Sequence, residues 1–149
     1  SGKTKVSWET IKILAEYNNR IANMGVSWQA HAIGGYYGGK EDDELYIRYI
    51  QYGVFSPIFI LAGEEGKYYK REPWKWNQIK LSVIREYMQL RNKLIPYIYN
   101  EAYVYHKFGV PIIQPLYYKY PKIYDEPNYV NQFPQTQNVE MRAELKIPY

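Results

Sequence analysis

The sequence predicts an α/β protein with a parallel sheet, about two parallel strands and three long helices. Helical and extended patterns alternate in the order helix, strand, helix, strand, helix, and this alternation is typical of parallel sheets. The stretch at residues 55–62 is almost continuously apolar, as expected of a strand that is buried on both faces. From Gly109 onward the pattern changes to an irregular C-terminal segment rich in tyrosine and proline.

The first two helices are predicted from capping residues. Ser7 is a plausible N-cap, and the apolar residues behind it recur at helical spacing until Gly25 ends the stretch. Asp42 and Asp43 are placed to cap a second helix over about residues 44–52, because carboxylates suit the positive end of a helix dipole.

A third, long helix is predicted to follow Asn77. Pro96 lies inside it and has no backbone N–H, so we expect it to kink the helix or divide it in two. The core side is predicted to consist of Val83, Ile84, Tyr87, Met88, Leu94, Ile95 and Ile98.

The strands are predicted at residues 26–30 and 55–62, with a glycine-rich loop at 34–39 after the first. We divide the chain into a module over residues 1–121 and a C-terminal extension over 122–149. The extension contains a possible strand at 139–147 with alternating character.

Composition excludes several classes of function. The chain has no cysteine, which removes disulfides, thiolate nucleophiles and zinc-thiolate sites. Its net charge is +4, but the basic residues are scattered, so nucleic acid is not an expected partner. No apolar run approaches the roughly 18–20 residues of a membrane span, and SGKTKVSW has no signal-peptide core, so we expect a cytoplasmic protein without a membrane partner. We predict neither a cofactor nor a metal, since the acidic run at 41–44 lacks the glycine of a calcium loop.

Several segments carry a family resemblance when they are taken together. They are GVSW…H.IGGYYGG (25–39), DELYIRYIQYGVFSPIF (43–59), REPW (71–74), LRNKLIPYIYNEA (90–102) and GVPIIQPLYYKYP (109–121). In order and spacing they resemble family 31 glycoside hydrolases, the α-glucosidase and α-xylosidase family, over about residues 1–133. The resemblance implies the C-terminal part of a (β/α)8 barrel. The active site would then lie at the carboxyl ends of the strands, near residues 31–35 and 61–65.

The same resemblance implies that the family's active-site residues are replaced. The family uses a retaining mechanism, in which a nucleophile and an acid/base carboxylate stand about 5–5.5 Å apart. The nucleophile belongs to strand four, ahead of the matched segments, and Lys3 stands at the acid/base position. A lysine ammonium is already a cation and holds its proton, so it cannot replace a carboxylic acid. By resemblance, Ala32 replaces an aspartate, Gln29 a tryptophan, Ile60 an arginine and Ala62 a histidine.

Five remaining residues are candidates to face a sugar: Trp28, His31, Arg71, Glu72 and Trp74. Each also has a structural interpretation. Trp28 could be a core residue, His31 a structural hydrogen-bonding residue, and Arg71 with Glu72 an ion pair or loop anchor.

Three functions follow from these observations. The first is a non-catalytic fold module, engineered or degenerate, that associates with itself or with a complementary barrel fragment because part of a barrel leaves strand edges uncovered. The second is a portion of an α-glucosidase or α-xylosidase that acts when the rest of the barrel completes it. The third is a weak binder of α-linked oligosaccharides through Trp28, Trp74 and Trp76.

Overall fold

The computed structural model of the chain describes residues 3–64 and 71–120. Helices and strands alternate along this part, which confirms the α/β class. The elements are α1 (Trp8–Ala22), β1 (Ala30–Ala32), α2 (Asp43–Gly53), β2 (Ile58–Ile60), a 3₁₀ helix (Pro73–Lys75), α3 (Gln78–Phe108) and α4 (Leu116–Lys119). The possible strand at 139–147, with the rest of the extension over 122–149, lies outside the described residues.

The three long helices begin where their capping residues predict. Ser7, Asp42 and Asn77 each accept a hydrogen bond from the backbone N–H three residues further on, at 2.9–3.2 Å. Such a bond satisfies one of the N–H groups that the first helical turn leaves without a partner.

The two strands pair in parallel, with Ala30 next to Ile58 and Ala32 next to Ile60. The first strand therefore begins four residues later than predicted. Residues 26–29 form local bonds instead: the side-chain amide of Gln29 donates to Val26 O at 3.1 Å, and its backbone N–H donates to Ser27 O. These contacts keep residues 26–28 out of the sheet, and Gln29 joins it only through its carbonyl, which accepts from Ile58 N–H at 3.2 Å.

Among residues 3–64 and 71–120, the helices cover one face of the sheet. Side chains alternate along a strand, so Ile33 and Phe59 lie on the helix-covered face with the core, while Ala32 and Ile60 lie on the other. Ile33 is fully buried, whereas Ile60 is 37% exposed. Within the described part of the chain, the second strand is therefore not buried on both faces, contrary to the prediction. We call the face that carries Ala32 and Ile60 the open face.

The core is built around α2, which is packed between α1, β1 and α3. α2 and the residue after it supply most of the buried side chains, α1 and α3 supply one each, and one comes from the residue directly after β1. The cluster consists of Leu14, Ile33, Leu45, Tyr46, Tyr49, Ile50, Val54 and Ile84.

The long helix α3 differs from its prediction in two ways. It runs unbroken through Pro96, so the chain is not divided there. Its contact with the core is also shorter than predicted: Ile84 is its only buried residue, Tyr87 and Met88 pack at the edge of the core, and Ile95 is 53% exposed. The second half of the predicted core side has no core to pack against, because α2 is only 11 residues long.

None of the helices in the described part of the chain combines the length and the apolar character that a membrane crossing requires.

Candidate functional site

Three of the substituted family positions, Ala32, Ile60 and Ala62, lie at the carboxyl end of the sheet. Ala32 and Ile60 end β1 and β2 and are Cα partners in the strand register, although 28 positions separate them in the sequence. Ala62 follows two residues after Ile60, just beyond β2. In-register residues of parallel strands point to the same face, so a methyl group and a branched alkyl group stand side by side on the open face.

Lys3 is brought to this end of the sheet by the backbone. Thr4 O accepts hydrogen bonds from the N–H groups of Tyr36 and Tyr37, at 2.6 and 3.2 Å, so the first described residues run beside the end of the loop after β1. The Lys3 ammonium lies 4.8 Å from the centre of the Tyr36 ring. A cation over an aromatic face is weakly stabilised, and this contact explains the placement of Lys3 without a ligand.

The backbone of Glu64 reaches the same loop. The N–H of Glu64 donates to Tyr36 O at 2.9 Å, so Glu64 and Lys3 both approach Tyr36. Glu64 is exposed, and its neighbour Glu65 lies outside the described residues.

Arg71 anchors the glycine-rich loop, which is one of the two structural interpretations of this residue. Its guanidinium donates to the carbonyl oxygens of Gly34 and Gly35, at 3.0 and 2.9 Å, and the side chain is 7% exposed. A Cβ at Gly34 would stand 3.0 Å from Arg71 Nε, and the φ of +88° favours glycine there as well. Arg71 therefore lies beneath the loop and fixes its path.

Tyr46 is a member of this arrangement that sequence reasoning missed. Its hydroxyl donates to Arg71 O at 2.6 Å, and its ring stacks on Trp76 with centroids 4.6 Å apart. Burial raises the pKa of Tyr46 to about 12, against the opposing effect of Arg71, so the hydroxyl remains a donor. Its spacing from Tyr49 and Ile50 on α2 signals a buried position but not its partner.

Glu72 is turned toward Lys75. The two charged groups are 2.6 Å apart, and the carboxylate also accepts from the N–H of Arg71 at 3.2 Å. The hydrogen bond from Lys75 holds the pKa of Glu72 below its usual range. This carboxylate is stabilised in its ionised form, the opposite of what a general acid needs.

His31 lies on the helix-covered face of β1, away from the open face. It is 2% exposed, and its ring centroid is 5.3 Å from that of Tyr52. Burial lowers the pKa of His31 to about 4, so the ring is neutral at pH 7. No described residue forms a hydrogen bond with Nε2, so the interpretation as a structural hydrogen-bonding residue is wrong for that nitrogen.

The two candidate tryptophans are both exposed, Trp28 by 51% and Trp74 by 73%. The core interpretation of Trp28 is therefore wrong, because this residue belongs to the connection that precedes β1 and not to the strand itself. Trp28 stands at the amino end of β1, and Trp74 lies in the 3₁₀ helix after β2. The sequence did not predict that these two tryptophans are separated in this way.

Among residues 3–64 and 71–120, no group of three or more histidine, aspartate or glutamate side chains could hold a metal ion. The acidic run at 41–44 is used otherwise: Asp42 caps α2 and accepts from Trp8 Nε1 at 3.0 Å, and Asp43 pairs with Lys80.

Comparison with known proteins decides what this sheet is part of. Residues 1–101 match the family model described as the TIM-barrel domain of glycosyl hydrolases family 31. The chain belongs to glycosyl hydrolase family 31. The family resemblance of the sequence is thereby confirmed, and the two parallel strands with their helices are part of an α/β barrel.

Curated relatives of this family 31 chain are much longer than it is. It is 32% identical over 122 residues to neutral alpha-glucosidase C of Mus musculus, a match that covers 81% of the chain and 13% of that protein. It is 28% identical over 120 residues to the alpha-xylosidase of Saccharolobus solfataricus, covering 78% of the chain and 16% of that protein. The chain thus spans less than a fifth of the length of these relatives.

Solved structures share the fold. A GH31 alpha-xylosidase from a soil metagenome, complexed with xylose, superposes with a TM-score of 0.73 at 23% identity, over 86% of this chain and 22% of that one. The cycloalternan-forming enzyme of Listeria monocytogenes, in complex with a pentasaccharide substrate, gives a TM-score of 0.76 at 24% identity, over 82% and 12%. At these identities the superpositions establish the fold alone.

Proposed function

We propose that this family 31 chain is a non-catalytic fold module, engineered or degenerate, that associates with itself. The observation that carries the proposal is the pairing of Ala32 with Ile60 at the carboxyl end of the sheet. By the family resemblance these positions hold an aspartate and an arginine. Two alkyl side chains cannot hydrogen-bond sugar hydroxyls, so the binding energy that orients a substrate is missing here.

The carboxylates near this end of the sheet also favour the absence of hydrolysis. Glycoside cleavage by retention needs one carboxylate as nucleophile and another as a proton donor with a raised pKa. Glu72 is held ionised by Lys75, Glu64 is exposed, and the acid/base position is Lys3.

The active-site positions are replaced while the residues that hold the scaffold are kept. This distribution favours an engineered or adapted chain over one that accumulated random substitutions. The capping residues Ser7, Asp42 and Asn77 all function, and Arg71 still anchors its loop. By the family resemblance, Lys3, Ala32, Ile60 and Ala62 replace polar residues that face substrate. Exchanging buried charges for apolar groups is neutral or stabilising where their partners are gone.

The first test is hydrolysis by the purified chain. We expect no turnover of an aryl α-glucoside or an aryl α-xyloside above the buffer rate. Turnover that follows the folded chain through purification would contradict the proposal. If a complementary fragment with strands one to six restores turnover, the chain is better described as a portion of an α-glucosidase or α-xylosidase.

A second candidate function is weak binding of α-linked oligosaccharides, which the exposure of Trp28 and Trp74 favours. Exposed indole rings stack on sugar faces, but two rings at separate ends of the sheet region do not form one platform. Titration of tryptophan fluorescence with maltose-type oligosaccharides tests this function, with Trp28→Phe and Trp74→Phe as matched variants. A flat titration dismisses it, and saturation that either variant abolishes supports it.

The self-association is tested by native mass. The open face leaves Ile60 partly exposed, and apolar surface of this kind is covered when copies associate. We expect the mass from light scattering to rise above that of one chain as concentration increases. A monomer at every concentration would contradict this part of the proposal.

A further inference from the structure

We propose that the core holds one buried water molecule between β1 and the helices α1 and α2, bound by Gln29 Oε1 and His31 Nε2. Both side chains are buried, with Gln29 5% exposed and His31 2% exposed. No described residue forms a hydrogen bond with either of these two atoms. Buried polar atoms are nearly always hydrogen-bonded, to protein or to ordered water, so two such atoms at neighbouring positions indicate a shared partner.

The two side chains lie on the same face of an extended segment. Gln29 O accepts the N–H of Ile58 at 3.2 Å, and Ile33 N–H donates to Ile60 O at 3.0 Å, so the backbone runs beside β2 over residues 29–33. Side chains alternate along such a segment, which places Gln29 and His31 on the face that carries Ile33 and the core. A strand rises about 3.3 Å per residue, so their Cα atoms are about 6.6 Å apart. A single water, with hydrogen bonds about 2.8–3.0 Å long, spans polar atoms at that separation.

The orientation of the Gln29 amide is fixed by its nitrogen. Nε2 donates to Asn18 O on α1 and to Val26 O, both at 3.1 Å. Carbonyl oxygens only accept, so exchanging the nitrogen and the oxygen of the amide would set Oε1 against two acceptors. Oε1 therefore lies on the other side of the amide, away from these two carbonyls.

The helices provide no donor for the imidazole. The ring of His31 packs against that of Tyr52 on α2, with centroids 5.3 Å apart. The Tyr52 hydroxyl donates its own proton to Leu14 O at 3.2 Å and accepts from Asn18 Nδ2 at 2.5 Å. The polar groups on the helix side of this cluster are thus engaged with one another, which leaves Gln29 Oε1 and His31 Nε2 for a further partner.

Water suits these two atoms better than an ion does. The amide oxygen of Gln29 only accepts, whereas Nε2 of a neutral imidazole donates or accepts according to its tautomer. Water donates one hydrogen to Oε1, and its other hydrogen or a lone pair satisfies Nε2 in either tautomer. An ion would bring a charge into the core without a countercharge, and the described residues hold no cluster of histidine, aspartate or glutamate fit for a metal.

The site is enclosed by elements already described. Asn18 on α1 covers Gln29, and Tyr52 on α2 covers His31. A segment elsewhere in the protein could reach Oε1 and Nε2 only by opening this core. The water would connect the two side chains of one strand segment whose other contacts are with two different helices.

A crystal structure at a resolution that shows ordered solvent tests the site directly. We expect a solvent peak within about 2.6–3.2 Å of both Gln29 Oε1 and His31 Nε2. A peak that reaches only one of these atoms overturns the proposal. A direct hydrogen bond between the two side chains, or no peak between them, overturns it as well.

Nuclear Overhauser spectroscopy provides the measurement in solution. The carbon-bound ring protons of His31 do not exchange, so we expect them to show a cross-peak to the water resonance, whereas the methyl groups of Ile50, at a 1% exposed position on α2, show none. Tyr52→Phe is the control for magnetisation relayed through the Tyr52 hydroxyl, and the cross-peak should persist in it. Gln29→Met removes Oε1 and should reduce the cross-peak several-fold.

The wild-type spectrum decides the question even if a variant fails to fold. A wild-type chain without the His31 cross-peak contradicts a bound water. A cross-peak that disappears in folded Tyr52→Phe, or that stays unchanged in folded Gln29→Met, overturns the assignment to a water held by Gln29 and His31.

Discussion

His31 is the residue whose burial has the clearest energetic consequence. The imidazole is enclosed between β1 and α2, with the Tyr52 ring against it, and the Tyr52 hydroxyl is itself bound to Asn18 and Leu14. Burial disfavours a positive charge on the ring and lowers the pKa of His31 to about 4. A histidine in this environment is stable only while it is neutral.

The folded state should therefore lose stability in acid. The pKa of His31 is about 4 when folded and 6.5 when unfolded, so between these values the unfolded chain binds more protons. Stability is fully present above pH 6.5 and falls as the pH drops toward 4, by roughly 3 kcal/mol in all from this group. Urea unfolding at pH 7, 6 and 5 measures the slope.

The two histidines of the chain provide a matched control. His31→Gln should flatten the slope between pH 6.5 and 4, whereas His106→Gln, at an exposed position on α3, should leave it unchanged. An equal slope in the wild type and in His31→Gln would show that other groups cause the acid sensitivity.

Arg71 should be sensitive to a change that preserves its charge. Lysine cannot reproduce the fork that reaches both Gly34 O and Gly35 O, so Arg71→Lys leaves a buried carbonyl without its donor. We expect a loss of about 1–3 kcal/mol in the free energy of unfolding. Arg48→Lys on the exposed side of α2 is the control, and a similar loss in both variants would contradict the anchoring role.

At the scale of elements, close packing between α2 and β1 depends on Gly53. A Cβ at this position would stand 2.5 Å from Ile33 Cδ1, and Ile33 is fully buried. Gly53→Ala gains about 1 kcal/mol of helix propensity but forces a shift in the core that costs about 1–3 kcal/mol. We expect a net loss of stability in thermal or urea unfolding.

The cause can be isolated by a double-mutant cycle. Ile33→Val removes Cδ1 and should by itself cost about 0.5–1.5 kcal/mol. Combined with Gly53→Ala, it should cost less than the sum of the two single changes. Strict additivity would mean that the contact between these residues is not the source of the loss.

Helix starts were predictable because capping is local chemistry. Ser7, Asp42 and Asn77 each bond a backbone group three residues away, and the sequence contains both members of that bond. The position of β1 was not predictable in the same way. It depends on the contact of Gln29 with Asn18 O, eleven residues earlier, which no alternation pattern encodes.

The sequence predicted only part of the candidate site, because some of its contacts are not local. The family positions of Ala32 and Ile60 located the carboxyl end of the sheet, and the strand register brings them together. The exposure of Trp28 and the bond from Tyr46 to Arg71 depend on how distant segments pack, so residue type alone could not predict them.

At the scale of the whole molecule, α3 extends far beyond the core that it helps to form. α3 is 31 residues long, yet its only buried residue is Ile84, near its start. After Pro96, several large side chains are exposed by more than half of their area, namely Tyr97, Tyr99, Tyr103 and Phe108. We therefore expect the free energy of local unfolding to be lower in the second half of α3 than near Ile84.

Hydrogen exchange should resolve this difference. We expect the backbone amides of residues 97–108 to exchange faster than those of residues 46–53, because the α2 amides are released only when the core opens. The comparison within one chain needs no external reference. Equal protection of both ranges would mean that the end of α3 is covered by another surface.

Arg91 links this long helix to the order of events in folding. Its guanidinium binds the carbonyl oxygens of Val54, Ser56 and Pro57, which lie 34–37 residues earlier in the chain. Closing a loop of that length costs chain entropy before any of these bonds forms, so we expect them to form late, after the rate-limiting barrier. Arg91→Lys should then accelerate unfolding while leaving the refolding rate nearly constant in stopped-flow experiments. A slower refolding rate would instead place the turn before β2 in the folding nucleus.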